Sequence, residues 1–364
     1  MEDQIKQLLD REQPLKAKDI ASKLGVERER VSALLHARKA QFEKDNQHRW
    51  YLKDQMLTVH LPDQQWLTTS QFETTLSADD SPLDSGHSLI LFQFGQQTSL
   101  LIDTIARLLA LCNQLIAAGK DVVLDLSDCR STRTYLDRVG FFEHLDAEVR
   151  VFPRRPSTSS ASVHRNNSDT MVEVVAINLD QRDDAILKNL RDRFECVIDI
   201  EHYVRANTIL GELFDNIHEH SSSPIPGFAA LQTYVKGRKP SIRTVFSDSG
   251  AGIVGTLMPT LSREQLDEIR NSEKDLRVAL IERIFSHGKL SRLNTSNQGR
   301  GLGLKRAGDL ANKLNSNVNG SITVRQDTFE VTIHLHSDRI TFAHRLNLHK
   351  LLGTHICFHM FLTN

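Results

Sequence analysis

Cysteine is scarce and scattered in this chain of 364 residues: Cys112, Cys129, Cys196 and Cys357, with no CxxC pair among them. That spacing excludes a disulfide framework and a cysteine-built zinc site, and it fits a reducing cytoplasm. An excess of either charge is missing too. The 45 Lys and Arg almost cancel the 46 Asp and Glu, leaving a formal charge of -1, so no dominant basic surface is expected. Long hydrophobic runs are also absent. The most apolar stretch, residues 100–118, carries Asp103, Arg107, Asn113 and Gln114 at helical spacing and reads as an amphipathic helix, not a membrane span. The N-terminal MEDQIKQLLDREQ is charged and amphipathic, unlike a signal peptide.

What is present suffices for two or three domains. In residues 1–56, Ile5, Leu8 and Leu9 share a helical face that Pro14 ends. Ile20 and Leu24 mark a second helix stopped by Gly25, and Val31, Leu34 and Leu35 mark a third. A turn at Asp45-Asn46 and a strand over 49–52 follow, which is the order of a winged helix-turn-helix. The words PLKAKDIASKLGVERERVSALLHARK and HRWYLK resemble the Z-alpha-like branch of that fold. There, an Asn and a Tyr on the third helix and a Trp at the wing contact a nucleic acid backbone. Ser32 and His36 stand where the family has the Asn and the Tyr, and Trp50 keeps the Trp. Arg28, Arg30, Arg38 and Lys39 are the residues expected to reach phosphates. A protein-binding or dimerising module with a solvated charged face remains the alternative.

Residues 57–85 are polar and turn-rich and read as a linker with room for one helix. Residues 86–165 alternate: a strand over 88–94, the helix over 100–118, a strand over 121–126 (DVVLDL) and a helix over 134–145. This order implies a parallel sheet with crossover helices. The run KDVVLDLSDCRSTRTYLDRVGFF resembles a STAS-type domain. In that family a Ser or Thr at the start of the helix after this strand can be phosphorylated, and Ser127, Ser131 and Thr132 stand in that loop. The other reading is that they cap the helix. Residues 153–169, rich in Ser, Asn and Arg, read as an exposed loop.

Three motifs follow in residues 166–338. Glu212, Asn216 and His220 are spaced by one helical turn and fall along one face. An amide oxygen there can complete a Mg2+ shell, and a carboxylate one turn away can orient water. A strand over 241–246 leads into Asp248, Gly250 and Gly252, a carboxylate beside glycines that let the backbone come close. Gly299, Arg300, Gly301, Leu302, Gly303, Leu304 and Lys305 then make a glycine-rich loop feeding a helix, whose N–H groups suit phosphate. It matches neither a Walker loop nor a dinucleotide fingerprint. An Asn319-Gly320 turn and strands over 321–325 and 329–335 close the unit as a final hairpin.

Together these motifs resemble the N box and two glycine boxes of the GHKL ATPases (type II topoisomerases, heat-shock chaperones, histidine kinases, mismatch-repair ATPases). The resemblance implies a Bergerat α/β sandwich that holds Mg·ATP. It implies Asn216 on Mg2+, Asp248 on the adenine amine, Gly250 and Gly252 shaping the adenine pocket, and Gly299, Gly301 and Gly303 around the phosphates. His220, Arg300, Leu302, Leu304 and Lys305 belong to the same cofactor site, and Glu212 is the general base. Residues 264–297 are expected to be a mobile lid, with His287, Lys289 and Arg292 at its basic end.

The chain is thus expected to be a multidomain α+β protein. A winged helix-turn-helix (1–56) and a linker (57–85) precede a STAS-like α/β domain (86–165), the ATP-binding domain (166–338) and a C-terminal tail (339–364). The tail histidines, His344, His349, His355 and His359, form no recognised ligand pattern. The expected function is a cytoplasmic, ATP-hydrolysing conformational switch in bacterial regulation or stress defence. Its N-terminal module would sense DNA, RNA or a protein, and a second copy and a protein at the STAS-like domain are further expected partners. A serine/threonine kinase acting on a STAS domain and a non-enzymatic ATP-gated DNA-binding regulator are the alternatives.

Overall fold

Residues 1–12, 14–39, 41–44, 48–52, 56–77, 81–177, 182–195, 207, 210–211, 213–215, 223–235, 240–287, 320–336 and 339–361 are described by the computed structural model. They form a mixed α and β protein with three sheets. Among them no helix is long and apolar enough to cross a membrane.

The N-terminal unit comprises α1 (Glu2–Glu12), β1 (Leu15–Lys16), α2 (Ala17–Leu24), α3 (Arg28–Ala37), β2 (Phe42–Lys44) and β3 (Arg49–Leu52). Its helices follow the apolar period of the sequence: Ile5 and Leu9, Ile20 and Ala21, and Val31 and Leu35 are buried together. Gly25, in the left-handed region at φ 64, ends α2 by returning its N–H to Ala21 and Ser22. The strands form an antiparallel sheet in the order β1-β3-β2. The expected turn at Asp45-Asn46 lies outside the described residues.

The middle unit runs β4 (Met56–Leu61), α4 (Thr69–Ser77), β5 (Leu89–Phe94), α5 (Ile102–Ala117), β6 (Asp121–Asp125), α6 (Arg130–Arg138), α7 (Phe141–His144), β7 (Arg150–Phe152) and α8 (Ser160–His164). Its four strands are parallel in the order β4-β5-β6-β7. The expected linker over 57–85 is therefore corrected. Thr58 and His60 alternate with Leu57, Val59 and Leu61, whose side chains enter the core, so the segment is a strand followed by a helix. The helix expected over 134–145 is split at Gly140, which takes φ 87 between α6 and α7. The loop expected over 153–169 contains α8.

The third unit comprises β8 (Met171–Ile177), α9 (Asp184–Glu195), β9 (Gly227–Tyr234), β10 (Ser241–Ser247), α10 (Gly252–Leu257), α11 (Arg263–Arg270), α12 (Leu276–His287), β11 (Gly320–Asp327), β12 (Phe329–Leu335), β13 (Ile340–Arg345) and β14 (Leu351–Phe361). They build a seven-stranded antiparallel sheet in the order β13-β12-β11-β14-β10-β9-β8. The expected tail over 339–364 is corrected: β13 is an edge strand, and β14 is central, paired with both β10 and β11. The expected final hairpin is thus only part of the sheet, and Gly320 opens β11.

The two faces of this sheet differ in chemistry. One is apolar: Ile356, Phe358 and Met360 of β14 and Ile322 and Val324 of β11 pack with α9, α12 and the helical residues Leu210, Leu213 and Phe214. The other alternates into Arg325, Glu330, His355, Cys357, His359 and Arg243 and lies against α5. The polar stripe of α5 is therefore buried, not solvated. Asp103, Arg107, Asn113 and Gln114 are all nearly inaccessible. Arg107 bonds Glu73 of α4 at 2.6 Å and Glu330 at 2.7 Å, Arg325 bonds Glu73 at 3.0 Å, and Arg243 bonds Asp103 at 2.5 Å. Burial opposes ionisation of Glu73, but the His349 contact and the Arg107 and Arg325 charges outweigh it and hold the carboxyl well below its ordinary value.

Candidate functional site

The residues with the most constrained geometry lie where β10 ends. Asp248 is 7% exposed, and its N–H donates to Thr354 O at 2.9 Å, which fixes it beside β14. Its Oδ1 accepts the Gly250 N–H at 2.7 Å and closes the turn. Two glycines here are sterically required. Gly252 has φ 73, and a Cβ on it would come within 2.0 Å of Gln326 Nε2. Gly353 has φ 83, and a Cβ on it would lie 2.0 Å from Asp248 O.

Side chains from three elements hold this turn. Gln326 of β11 accepts the Val254 N–H of α10 at 3.1 Å and donates to Thr354 Oγ1 at 2.8 Å. Gln114 of α5 donates to Ser249 Oγ and to Leu352 O, both at 2.9 Å, and accepts the Leu352 N–H at 2.9 Å. His355 Nε2 lies 2.9 Å from Leu352 O, an acceptor only, so Nε2 carries the proton and Nδ1 accepts from Ser247 Oγ at 2.6 Å. Burial first, and then the Arg107 charge, push His355 down to about 3, so it is neutral. The site thus presents a buried carboxylate on a turn bonded to the Thr354 backbone, with the Thr354 hydroxyl accepting from Gln326.

Of the residues singled out in the sequence, Asp248, Gly250 and Gly252 are brought together here. Glu212, Asn216, His220, Gly299, Arg300, Gly301, Leu302, Gly303, Leu304 and Lys305 lie outside the described residues. Their neighbours Leu210, Leu213 and Phe214 are helical and buried on the apolar face of the sheet that carries Asp248. The lid expected over 264–297 is corrected over α12, where Val278, Leu280, Ile281, Ile284 and Phe285 belong to the core. Lys289, Arg292 and the side chain of His287 lie outside the description. Gln114, Gln326, Gly353 and Thr354 were missed by sequence reasoning. The glycine before the alternating strand THICFHMF was the available signal for the last two, whereas nothing local marks Gln114.

In the N-terminal unit, Arg28, Arg30, His36 and Lys39 are exposed and Ser32 is half-buried. Arg38 pairs with Glu2. Trp50 is corrected: it is 4% exposed, in the centre of β3, with the His36 ring edge-on at 4.9 Å and Lys44 Nζ at 5.7 Å. Its place between α3 and the sheet makes it a core residue, not a surface contact. In the middle unit, Thr132 is buried and donates to Thr98 O, Ser127 donates to Asp125 Oδ1 at 2.5 Å, and Ser131 is exposed. None of the three is the N-cap of α6, which is Cys129.

Among the described residues no cluster of His, Cys, Asp and Glu is arranged to hold a metal ion. Comparison with family models, curated proteins and solved structures finds no match to this chain.

Proposed function

We propose that the chain is a nucleotide-driven switch that binds Mg·ATP at the Asp248 turn and hydrolyses it. The observation that carries this reading is the turn itself: a buried carboxylate at a strand end, held beside two glycines with left-handed backbone, on the sheet face that also packs Leu210, Leu213 and Phe214. A buried acceptor of this kind suits an exocyclic amine. In this reading Asn216 would hold Mg2+ with the phosphates, Gly299, Gly301 and Gly303 would wrap them, and Glu212 would activate water. The magnesium ion would supply charge neutralisation at the phosphates.

The N-terminal unit would be the sensor, as a winged helix-turn-helix. Its support is the element order of three helices around a three-stranded sheet, with Arg28, Arg30, His36 and Lys39 exposed on α3 and just beyond it. Those residues would meet nucleic acid phosphates or an acidic protein surface. The setting would be bacterial regulation or stress defence in the cytoplasm, with a second copy as a partner of the ATP-bound state. For the STAS kinase alternative, Thr132 is buried and Ser127 bonds Asp125, which leaves Ser131 as the exposed acceptor of the three.

The fate of γ-labelled ATP with wild-type and Glu212→Ala protein tests this. Free phosphate that disappears in the variant supports hydrolysis. Label on the protein replaces the ATPase with a kinase, and bound but intact ATP replaces it with a non-enzymatic ATP-gated regulator.

A further inference from the structure

The loop leaving β7 returns along α6 and borders a half-open surface pocket of about 250 Å³ lined by Arg133, Thr134, Asp137, Arg154, Ser157 and Thr158, with Pro156 at its wall. The loop is pinned on both sides. Arg155 donates to Leu145 O and Val149 O at 3.3 Å each, and Ser159 bonds Glu143 while capping α8. Ser160 N–H also donates to Asp137 Oδ1 at 3.2 Å, so one oxygen of the pocket's single carboxylate is already engaged. Pro153 and Pro156 restrict the backbone between these anchors. These anchors fix the course of the loop backbone beside α6.

The chemistry of the pocket is one-sided. Among the described residues neither the Arg133 nor the Arg154 guanidinium has an ion-pair or hydrogen-bond partner, whereas Arg138, Arg155 and Arg165 close by are all engaged. Two guanidiniums against one carboxylate leave a positive excess, and the hydroxyls of Ser157 and Thr158 add donors. Apart from Pro156, no apolar side chain lines the space, so a ring or an acyl chain has nothing to pack on. Guanidinium forks match the paired oxygens of a phosphate group, and the volume leaves room for a small body attached to it.

We propose that this pocket is a binding site for a small phosphate monoester, gripped by Arg133 and Arg154. It lies on α6 and the loop after β7, apart from the Asp248 turn and from the basic residues of α3, and it does not depend on the nucleotide reading.

The test is phosphorus-31 NMR titration of the full chain with O-phosphoserine at constant ionic strength, with inorganic phosphate as the comparison and serine added as a phosphorus-free competitor. The ester should bind, and Arg133→Gln and Arg154→Gln should each weaken it about tenfold, the scale of one charge-assisted hydrogen bond. Asp137→Asn keeps an acceptor for Ser160 N–H but removes the negative charge, and should tighten binding severalfold, a gain that misfolding cannot imitate. Asp248→Ala and Lys39→Ala should leave it unchanged. Equal binding by the arginine variants, binding of inorganic phosphate without the ester, or no binding at millimolar concentration overturns the proposal.

Discussion

Gln114 and Ser249 belong to different layers, α5 and the turn after β10, yet the Gln114 amide nitrogen donates to Ser249 Oγ at 2.9 Å. The same side chain closes a two-bond clamp on the backbone of Leu352, so one buried amide ties the middle unit to both strand ends that frame Asp248. Gln114→Met keeps the volume and removes the bonds. Losing these part-buried hydrogen bonds to Ser249 and Leu352 should cost about 1 kcal/mol, read as a lower urea midpoint. If the turn binds nucleotide, ATP should also stabilise this variant less than wild type at equal concentration. An unchanged ATP shift would separate the clamp from the site.

Asp248→Ala gives the complementary result. Asp248 accepts the Gly250 N–H and is the residue proposed to meet the base. ATP-induced thermal stabilisation should vanish, because a ligand stabilises a protein only through its affinity for the folded state. A full shift in the variant would remove Asp248 from the pocket.

The charge layer between α5 and the large sheet answers to a double-mutant cycle. Arg107 joins Glu73 to Glu330, and Arg325 meets Glu73 from the other side. Removing one partner strands a buried charge. Arg107→Met should cost about 3–5 kcal/mol in urea denaturation, and the added Glu330→Gln should recover part of that loss. Additive effects would mean that the two do not share one network.

Much of the fold was legible because its signals are local and periodic. Ile5 with Leu9, the DVVLDL strand and the strands over 241–246 and 329–335 bury the residues their patterns nominate. Two failures share a cause. In Met56–Leu61 and Leu351–Phe361 the polar partners in the alternation, Thr58, His60, His355 and His359, made strands look like linker and tail. In β14 those histidines face a polar layer that another unit supplies, and burial by a distant partner leaves no trace in local sequence. α5 is the amphipathic helix that its spacing predicts, but its polar stripe meets Arg243, Glu330 and Glu73, not water, and nothing local announces those partners. The Asp248 turn was legible from Asp-Ser-Gly-Ala-Gly, whereas Gln114 and Thr354 reach it only through the fold.

Two histidines of β14, buried His355 and half-buried His359, set an acid limit. Burial, and then Arg107 for His355 and Arg243 for His359, lowers these groups to about 3 and about 4 from an ordinary 6.5. Above pH ~6.5 neither state binds protons at them, and their contribution to stability is fully present. As pH falls, the unfolded chain takes up protons that the folded chain refuses. Stability should drop by about 1.4 kcal/mol per pH unit per histidine until the folded values are reached. Glu73 adds a loss of the same sign at lower pH. His355→Gln, which can still donate to Leu352 O and accept from Ser247, should flatten the urea-midpoint profile between pH 6 and 4 by about one proton. An unaltered slope would mean that His355 titrates normally.

The N-terminal unit is not freely tethered. Arg49 of β3 pairs with Asp125 of β6 at 3.0 Å, both nearly inaccessible, and its guanidinium lies 3.3 Å from the centre of the Phe152 ring. Tyr51 and Met56 pack with Leu89, Leu91 and Val123 on the face of the parallel sheet opposite α5. Deleting residues 1–56 would uncover that face and leave the Asp125 carboxylate without its arginine. The truncated chain should unfold at lower urea and expose apolar surface to a dye such as ANS, against the separability that the sequence suggests. Arg49→Met isolates the electrostatic part: it keeps most of the packing and should cost about 3–5 kcal/mol by stranding Asp125, and Asp125→Asn added to it should restore part of the loss. A truncation as stable as the full chain would show that the contact does not bear on folding, and any signal from α3 would then need another route to the Asp248 turn.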